Sequence, residues 1–332
     1  SLLTANHVVI ASGSKPFELG AVPIDQTHIV DSTGALEFSE VPNHMGVIGA
    51  GVIGLEMASI WSRLGARVTI WEGLDTFLGG VDKDIAAQAH KIFAKQGIEI
   101  HLDSKVKGVE SADSGVNVIV ENDGSETKTE VDKLLVAVGR VANTENLGLG
   151  DLGIDLDDKG FIKVNDQWQT SLPGVYAVGD VIGGAMLAHK GSEEGIAVAE
   201  ILAGQHGEVN AAIPWVIYTW PEIAWVGATE QALKSEGVKY KTGSFPFMAL
   251  GRARTMGYIE GTIKFIADDE TDSLLAVHII GPCASELIAE AVVAIESELC
   301  AEDLARTIHA HPTLAEGMRE AALAVDERAI HI

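Results

Sequence analysis

Cysteine is close to absent. The 332 residues hold two, Cys283 and Cys300, and neither stands in a C-x-x-C or similar pair. That leaves no cysteine metal site and no visible redox pair, and it suits free thiols in a reducing cytoplasm. Cations are scarce as well. Lys and Arg number 23 against 48 Asp and Glu, for a formal net charge of -25. So acidic a chain offers no basic patch for a phosphate backbone, and nucleic acid is excluded as a partner. No stretch reaches the ~18 uninterrupted apolar residues of a membrane span, so no membrane association is expected. The opening SLLTANHVVI lacks a basic start and a small-residue cleavage site, and it reads as a strand inside a domain. Internal repeats and low-complexity tracts are also lacking.

What is present is the material of a packed globular protein. Hydrophobic residues make up 47% and mean hydropathy is +0.19. The length exceeds one ordinary core, so two or three domains are expected. An apolar strand at His7 to Ala11 is followed by a polar connection. Strands and helices then alternate from Met45 to the strand Ile98 to Leu102. A hairpin turned at Asn122-Asp123-Gly124 joins Val116 to Val120 with Thr127 to Val131. Leu134 to Val138 closes this unit. Beyond Ala212 the pattern changes to strands at Val216 to Thr219, Ile223 to Val226, Tyr258 to Ile266 and Leu274 to Ile280. Helices follow from Ser285, Glu302 and Thr313, an α+β arrangement. Leu287, Ala291, Ile295 and Leu299 form the expected buried stripe of the first.

Gly49-Ala50-Gly51-Val52-Ile53-Gly54 is a G-x-G-x-x-G, a weak signal alone. Its surroundings strengthen it. An apolar strand precedes it, and a helix follows with Ile53, Met57, Ile60, Trp61 and Leu64 on one side and Gly65 as its stop. The next strand, Arg67 to Trp71, ends in Glu72, about 20 residues on, where a dinucleotide fingerprint places an acid. Gly49 permits the tight turn, Gly51 the approach of a pyrophosphate and Gly54 the close packing of helix on strand. The Glu72 carboxylate can accept from ribose hydroxyls and repels a 2′-phosphate, so NAD is expected over NADP.

A second strand-to-helix junction runs from Thr170 to Asp180, ending Val178-Gly179-Asp180, with a helix beginning near His189. Asp180 suits an acceptor for a sugar-alcohol hydroxyl, and it suits the cap of a turn equally well. Near the C-terminus stands His309-Ala310-His311-Pro312-Thr313-Leu314-Ala315-Glu316. Thr313 and Glu316 fit a capping box, which gives Glu316 a structural role of its own.

Together these motifs resemble the dihydrolipoamide dehydrogenase family of NAD-linked flavin disulfide oxidoreductases, and the resemblance covers the entire chain. Thr170 to Asp180 resembles the family's second flavin motif, which implies that Asp180 binds the FAD ribitol. Met186-Leu187-Ala188-His189 resembles the segment along the flavin ring. Ala11-Ser12-Gly13-Ser14 and Val138-Gly139-Arg140-Val141-Ala142-Asn143 resemble two linking motifs, with Ser12 for the usual Thr and Ala142 for the usual Pro; they bring Gly13 and Gly139 to the cofactor site. The His-Pro-Thr-x-x-Glu run implies that His311 is the acid-base residue and that Glu316 orients it. His309 receives no role. A Glu at the place of Glu56 pairs in that family with a lysine beside the flavin, on the segment not in this sequence, so Glu56 is expected to be unpaired here. No metal is implied.

The fold implied is α/β: a doubly wound NAD-binding domain (33–142), a partial FAD domain (1–32 and 143–212) and a C-terminal α+β dimerisation domain (213–332). The activity implied is oxidation of protein-bound dihydrolipoamide by NAD through FAD. The partners implied are a second copy and the lipoyl domain of a 2-oxoacid dehydrogenase acyltransferase or the glycine cleavage system. The family's Cys-x4-Cys dithiol and first G-x-G-x-x-G are not in this sequence. A segment of roughly 100–150 residues is therefore expected ahead of it, and the chain alone is expected to be inactive. A non-catalytic NAD-binding, dimerising fragment and a related flavin disulfide reductase of another substrate are the alternatives.

Overall fold

The computed structural model describes residues 3–332. The chain divides into two compact units, one running to Phe17 and resuming at Gly139–Ala211, the other made of Glu18–Val138 and Ala212–Ile332.

The larger unit is built on a five-stranded parallel sheet. Its order is Ile29–Val30, Lys133–Val136, His44–Ile48, Arg67–Trp71, Ile98–His101. The three inner runs are largely apolar on both faces, as strands covered on both sides must be. Met45, Val47, Val68, Ile70 and Leu135 pack against the helices Val52–Leu64 and Lys83–Lys95. Ile48, Trp71, Leu134 and Val136 pack against Val116, Val118, Val120 and Val131. Those four belong to an antiparallel three-stranded sheet, Lys105–Ser111, Val116–Asn122 and Ser125–Val131, which takes the place of a second helix layer. Its hairpin turns at Asp123 and Gly124, both at positive φ (49° and 74°), the geometry that Asp-Gly supplies cheaply.

The C-terminal portion adds a five-stranded antiparallel sheet in the order Trp215–Ile217, Glu222–Gly227, Leu274–Gly281, Thr262–Asp268, Tyr240–Pro246. Ile217, Ile223, Trp225 and Ile280 share one core with the nucleotide helices. Lys264 ties the two portions further. It is 3% exposed, and its ammonium donates to Asp82 at 2.9 Å, Asp84 at 2.7 Å and Glu230 at 2.5 Å. Asp82 and Asp84 open the helix Lys83–Lys95, so one ammonium clamps that helix to the C-terminal sheet. Burial opposes charge at this cluster, yet the ion pairs prevail. Lys264 is raised above its usual value, Asp82 is lowered, and Glu230 is lowered to about 2.

By compactness the chain divides after Phe17 and Val138. Several expectations about elements are corrected. Ile29–Val30 is an edge of the nucleotide sheet, and Arg140–Ala142 pairs with Ser14–Pro16. On the nucleotide helix Ile60 and Leu64 are exposed, while Leu55, Ala58 and Trp61 are buried. The reason is a helix with two neighbours, the parallel sheet and the strand Trp215–Ile217, which together turn Leu55 and Ala58 inward. On Ala284–Glu296 the buried line is Ala284, Ile288, Ala291 and Ala294, with Leu287 and Ile295 at its margin. The expected strand from Tyr258 starts at Thr262, after Gly257 and Gly261 take positive φ. Tyr240–Pro246 is an unforeseen edge strand that pairs with Thr262–Asp268. Its Gly243 is required there, because a Cβ would stand 2.3 Å from Val325 N and 2.4 Å from Ala321 O where the last helix crosses.

The smaller unit is built from short pairings. Val8–Ile10 lies parallel to Val175–Ala177, and Ser14–Pro16 runs antiparallel to Arg140–Ala142. A 3-10 turn, Gly179–Ile182, and the helix Ala188–Leu202 follow.

Candidate active site

The three fingerprint glycines are glycine for different reasons. A Cβ on Gly54 would sit 2.0 Å from the Gly49 carbonyl oxygen, and one on Gly49 would sit 2.5 Å from Ala137 O. Gly49 also takes φ 101°. Both are demanded by the packing of loop, helix and strand. A Cβ on Gly51 would meet nothing within 4 Å. The fold leaves that side open, and Gly51 is the N-cap of Val52–Leu64 with no side-chain cap on its amides. An uncapped helix start facing open space is the setting for a pyrophosphate. Glu72 reaches back to the same loop. Its Oε2 accepts from Ala50 N at 2.8 Å and its Oε1 from Leu74 N at 3.0 Å. The carboxylate is therefore fixed, with lone pairs left for ribose hydroxyls.

Asp180 sits in the smaller unit, at the 3-10 turn after Val175–Ala177. Ser14 Oγ donates to its Oδ2 at 2.5 Å, while Arg140 Nε donates to that Ser14 Oγ at 2.6 Å and Arg140 Nη2 to Ser14 O at 2.7 Å. One oxygen of Asp180 is thus engaged within the chain. Gly179, beside it, is held by a residue that sequence reasoning missed. Glu194, 4% exposed, accepts from Gly179 N at 2.7 Å and pairs with Lys190 at 2.7 Å. Its spacing from Lys190, i to i+4 on a helix, was the available signal. Gly13 and Gly139 take φ 73° and 121°, and a Cβ on either would meet nothing within 4 Å. Met186, Leu187, Ala188 and His189 lead into Ala188–Leu202, whose N-cap, Leu187, makes no side-chain cap bond. Ser12 Oγ is buried with no partner among the described residues, a polar atom that a ligand could satisfy.

His311 and Glu316 come together in the larger unit. His311 Nδ1 lies 2.8 Å from Glu316 Oε1, and Glu316 Oε2 accepts from Thr313 N at 2.8 Å. Thr313 Oγ1 returns the bond by accepting from Glu316 N at 3.3 Å, a reciprocal pair with the bonding of a capping box; the helix expected from Thr313 itself starts at Glu316, with Ala315 as its N-cap. Burial works against the Glu316 carboxylate, but the Thr313 amide and His311 outweigh it and hold it below the usual carboxylate range. The imidazole is 78% exposed. The His311-Pro312 peptide is cis. Glu56 lies on the nucleotide helix, where burial lifts its carboxyl above the usual range against the Tyr218 amide that it accepts at 2.9 Å.

A family model described as pyridine nucleotide-disulphide oxidoreductase matches residues 1–195, and its dimerisation domain matches 213–322. The chain belongs to this family. The dihydrolipoyl dehydrogenase of Cupriavidus necator is 51% identical across 100% of this chain and 70% of its own length. The mitochondrial dihydrolipoyl dehydrogenase 2 of Arabidopsis thaliana is 46% identical, across 100% of this chain and 66% of its own. Among solved structures, the HOCl-induced flavoprotein disulfide reductase RclA from Escherichia coli aligns with a TM-score of 0.88 at 28% identity, covering 95% of this chain and 73% of that one. No described helix is long and apolar enough to cross a membrane.

Proposed function

We propose that this chain forms the NAD-binding, flavin-contacting and dimerising portion of a dihydrolipoyl dehydrogenase. The reaction oxidises protein-bound dihydrolipoamide to lipoamide and reduces NAD+ to NADH. The observation that carries the reading is the His311–Glu316 contact at 2.8 Å with the imidazole 78% exposed. A dithiol must lose a proton before its sulfur attacks a disulfide. His311 Nε2 takes that proton, while Glu316 holds the Nδ1–H tautomer and stabilises the imidazolium that results. The redox disulfide that this chemistry needs is not among these residues, whose two cysteines stand at 283 and 300.

NAD fits the open side at Gly51, the uncapped helix start and the fixed Glu72 carboxylate. FAD fits the smaller unit, where Asp180 would take the ribitol and Gly13, Gly139 and Met186 to His189 would line the cofactor. Ser12 Oγ is an unsatisfied buried atom in the same motif as Gly13. The chemistry that a bound flavin would supply is relay of an electron pair between dithiol and nicotinamide. The partners are a second copy of the chain, through the dimerisation domain, and a lipoyl domain. A cytoplasmic place suits the two free thiols and the bacterial relative.

The test replaces His311 by Ala in the enzyme that carries the dithiol. Dihydrolipoamide oxidation should fall by a factor of about 10²–10⁴, while electron transfer from NADH to an artificial flavin oxidant should hold, since it deprotonates no thiol. Unchanged dihydrolipoamide turnover would remove His311 from the chemistry. The 332-residue chain alone should turn over no dihydrolipoamide, since it holds no dithiol.

A further inference from the structure

We propose that His309 is a charged imidazolium, locked between Glu290 and the Thr307 carbonyl, and that it positions the segment carrying His311. This deepens the reading of His311 and rests on it.

Both ring nitrogens of His309 face acceptors. Nδ1 lies 3.0 Å from Thr307 O, and a carbonyl can only accept, so Nδ1 carries a hydrogen. Nε2 lies 2.8 Å from Glu290 Oε1. A neutral ring protonated at Nδ1 would aim a bare lone pair at that carboxylate. A second proton removes the repulsion and makes a charge-assisted bond, which is short and strong. The side chain is only 8% exposed, so the pair is poorly screened by solvent.

The surroundings agree. Contact with Glu290 raises His309 above the ordinary histidine value, against burial and against Arg319, the other charged group acting on it. Arg319 is turned partly away, donating from Nε to Ala305 O at 3.2 Å and standing 3.7 Å from Glu320. Glu290 belongs to Ala284–Glu296, and Thr307 caps Ala301–Arg306. The charged ring therefore pins a loop to two helices at once. Ala310 alone separates it from His311, whose own ring extends into solvent and owes its direction to this backbone and to Glu316. His309 is a positioning residue and touches no substrate.

Histidine-labelled nuclear magnetic resonance on this 332-residue chain tests both halves. At pH 8 the His309 ring should show the shifts of a doubly protonated imidazole, and Glu290→Gln should return it to the neutral form. In wild type the neutral His311 ring should favour its Nδ1–H form, held by Glu316. In Glu290→Gln, and independently in His309→Gln, the ratio of Nδ1–H to Nε2–H forms should fall by about tenfold, equivalent to about 1.4 kcal/mol. Circular dichroism identifies a variant that has lost its fold, in which case the other variant decides. A neutral His309 at pH 8 in wild type overturns the charge. A His311 ratio unchanged in the folded variants overturns the positioning. Neither readout involves turnover, so a failure of the proposed dehydrogenase reaction would leave both measurements standing and is told apart from a failure here.

Discussion

His311 and Glu316 are joined by a carboxylate that serves two structures at once. Glu316 Oε1 holds the imidazole at 2.8 Å, and Oε2 closes the capping box on Thr313 N at 2.8 Å. The group that starts the last helix is also the group that aims the ring. Moving the helix start by one residue would carry the orienting carboxylate away with it. The C-terminal portion matches the family's dimerisation domain. The resemblance to that family implies that His311 completes the site of the partner subunit in a two-fold dimer. Two inactive forms of the enzyme, one without the dithiol and one with His311→Ala, should regain activity when mixed and allowed to exchange subunits. Proven heterodimers without recovered activity would place both groups in one subunit.

Gly51 and Gly54 should respond oppositely to alanine. Gly54→Ala drives a Cβ to 2.0 Å from backbone oxygen, so unfolding in urea should show a loss above about 2 kcal/mol. Gly51→Ala meets open space and should change stability by less than about 0.5 kcal/mol. It should nevertheless weaken NADH binding at least about tenfold in calorimetry, by filling the space that the pyrophosphate needs. Full NADH affinity in Gly51→Ala would remove the loop from the binding site.

Glu72 should set the choice of nucleotide. Both its oxygens already hold backbone amides, at 2.8 and 3.0 Å, so the charge cannot swing away from a 2′-phosphate. NADH should bind this chain more tightly than NADPH, and Glu72→Arg should reverse the order. Equal affinities in the unaltered chain would sink the role of Glu72.

Lys264 should give the pH profile of stability its shape. Asp82 and Glu230 are held below their ordinary range, so their contribution is complete above about pH 4.3, the unfolded carboxylate range. It is lost as pH falls through the folded values, about 2 for Glu230. The raised Lys264 contributes below its unfolded value near pH 10.4 and loses that contribution only as pH rises further. Lys264→Met leaves Asp82 buried without its cation and should cost about 3 kcal/mol or more at pH 7. The variant should become relatively more stable between pH 7 and 5, where the stranded carboxylates take up protons. Urea titrations at the two pH values measure this, and a parallel offset at both would argue against the cluster.

Features written in neighbouring residues were legible without coordinates. The turn at Asp123-Gly124, the G-x-G-x-x-G start and the Thr313–Glu316 box each need only a few consecutive residues in the right order, and each stands where it was expected. The helix stripes were less legible. Periodicity reports that a helix has an apolar side, but Ile60 and Leu64 are exposed because two different partners decide which apolar residues turn inward. The edge strand Tyr240–Pro246 alternates Thr242 and Ser244 with Gly243 and Phe245, and its only buried large apolar side chain is Phe245. Such a strand carries little hydrophobic signal.

By itself, then, the sequence determined the local chemistry: where a pyrophosphate meets glycine, which acid follows the second strand, and which histidine precedes the last helix. Only the tertiary structure decided what those groups are tied to. Lys264 meets Asp82 across 182 residues, Ser14 meets Asp180 across 166, and Glu72 returns to Ala50 across 22. His309 and Glu290 face each other from separate elements, and nothing in their spacing of 19 distinguishes them from any other acid and histidine. The physical reason is that a hydrogen bond is specified by direction at about 3 Å. Between distant residues that direction is set by the packing of whole elements, which no local pattern encodes.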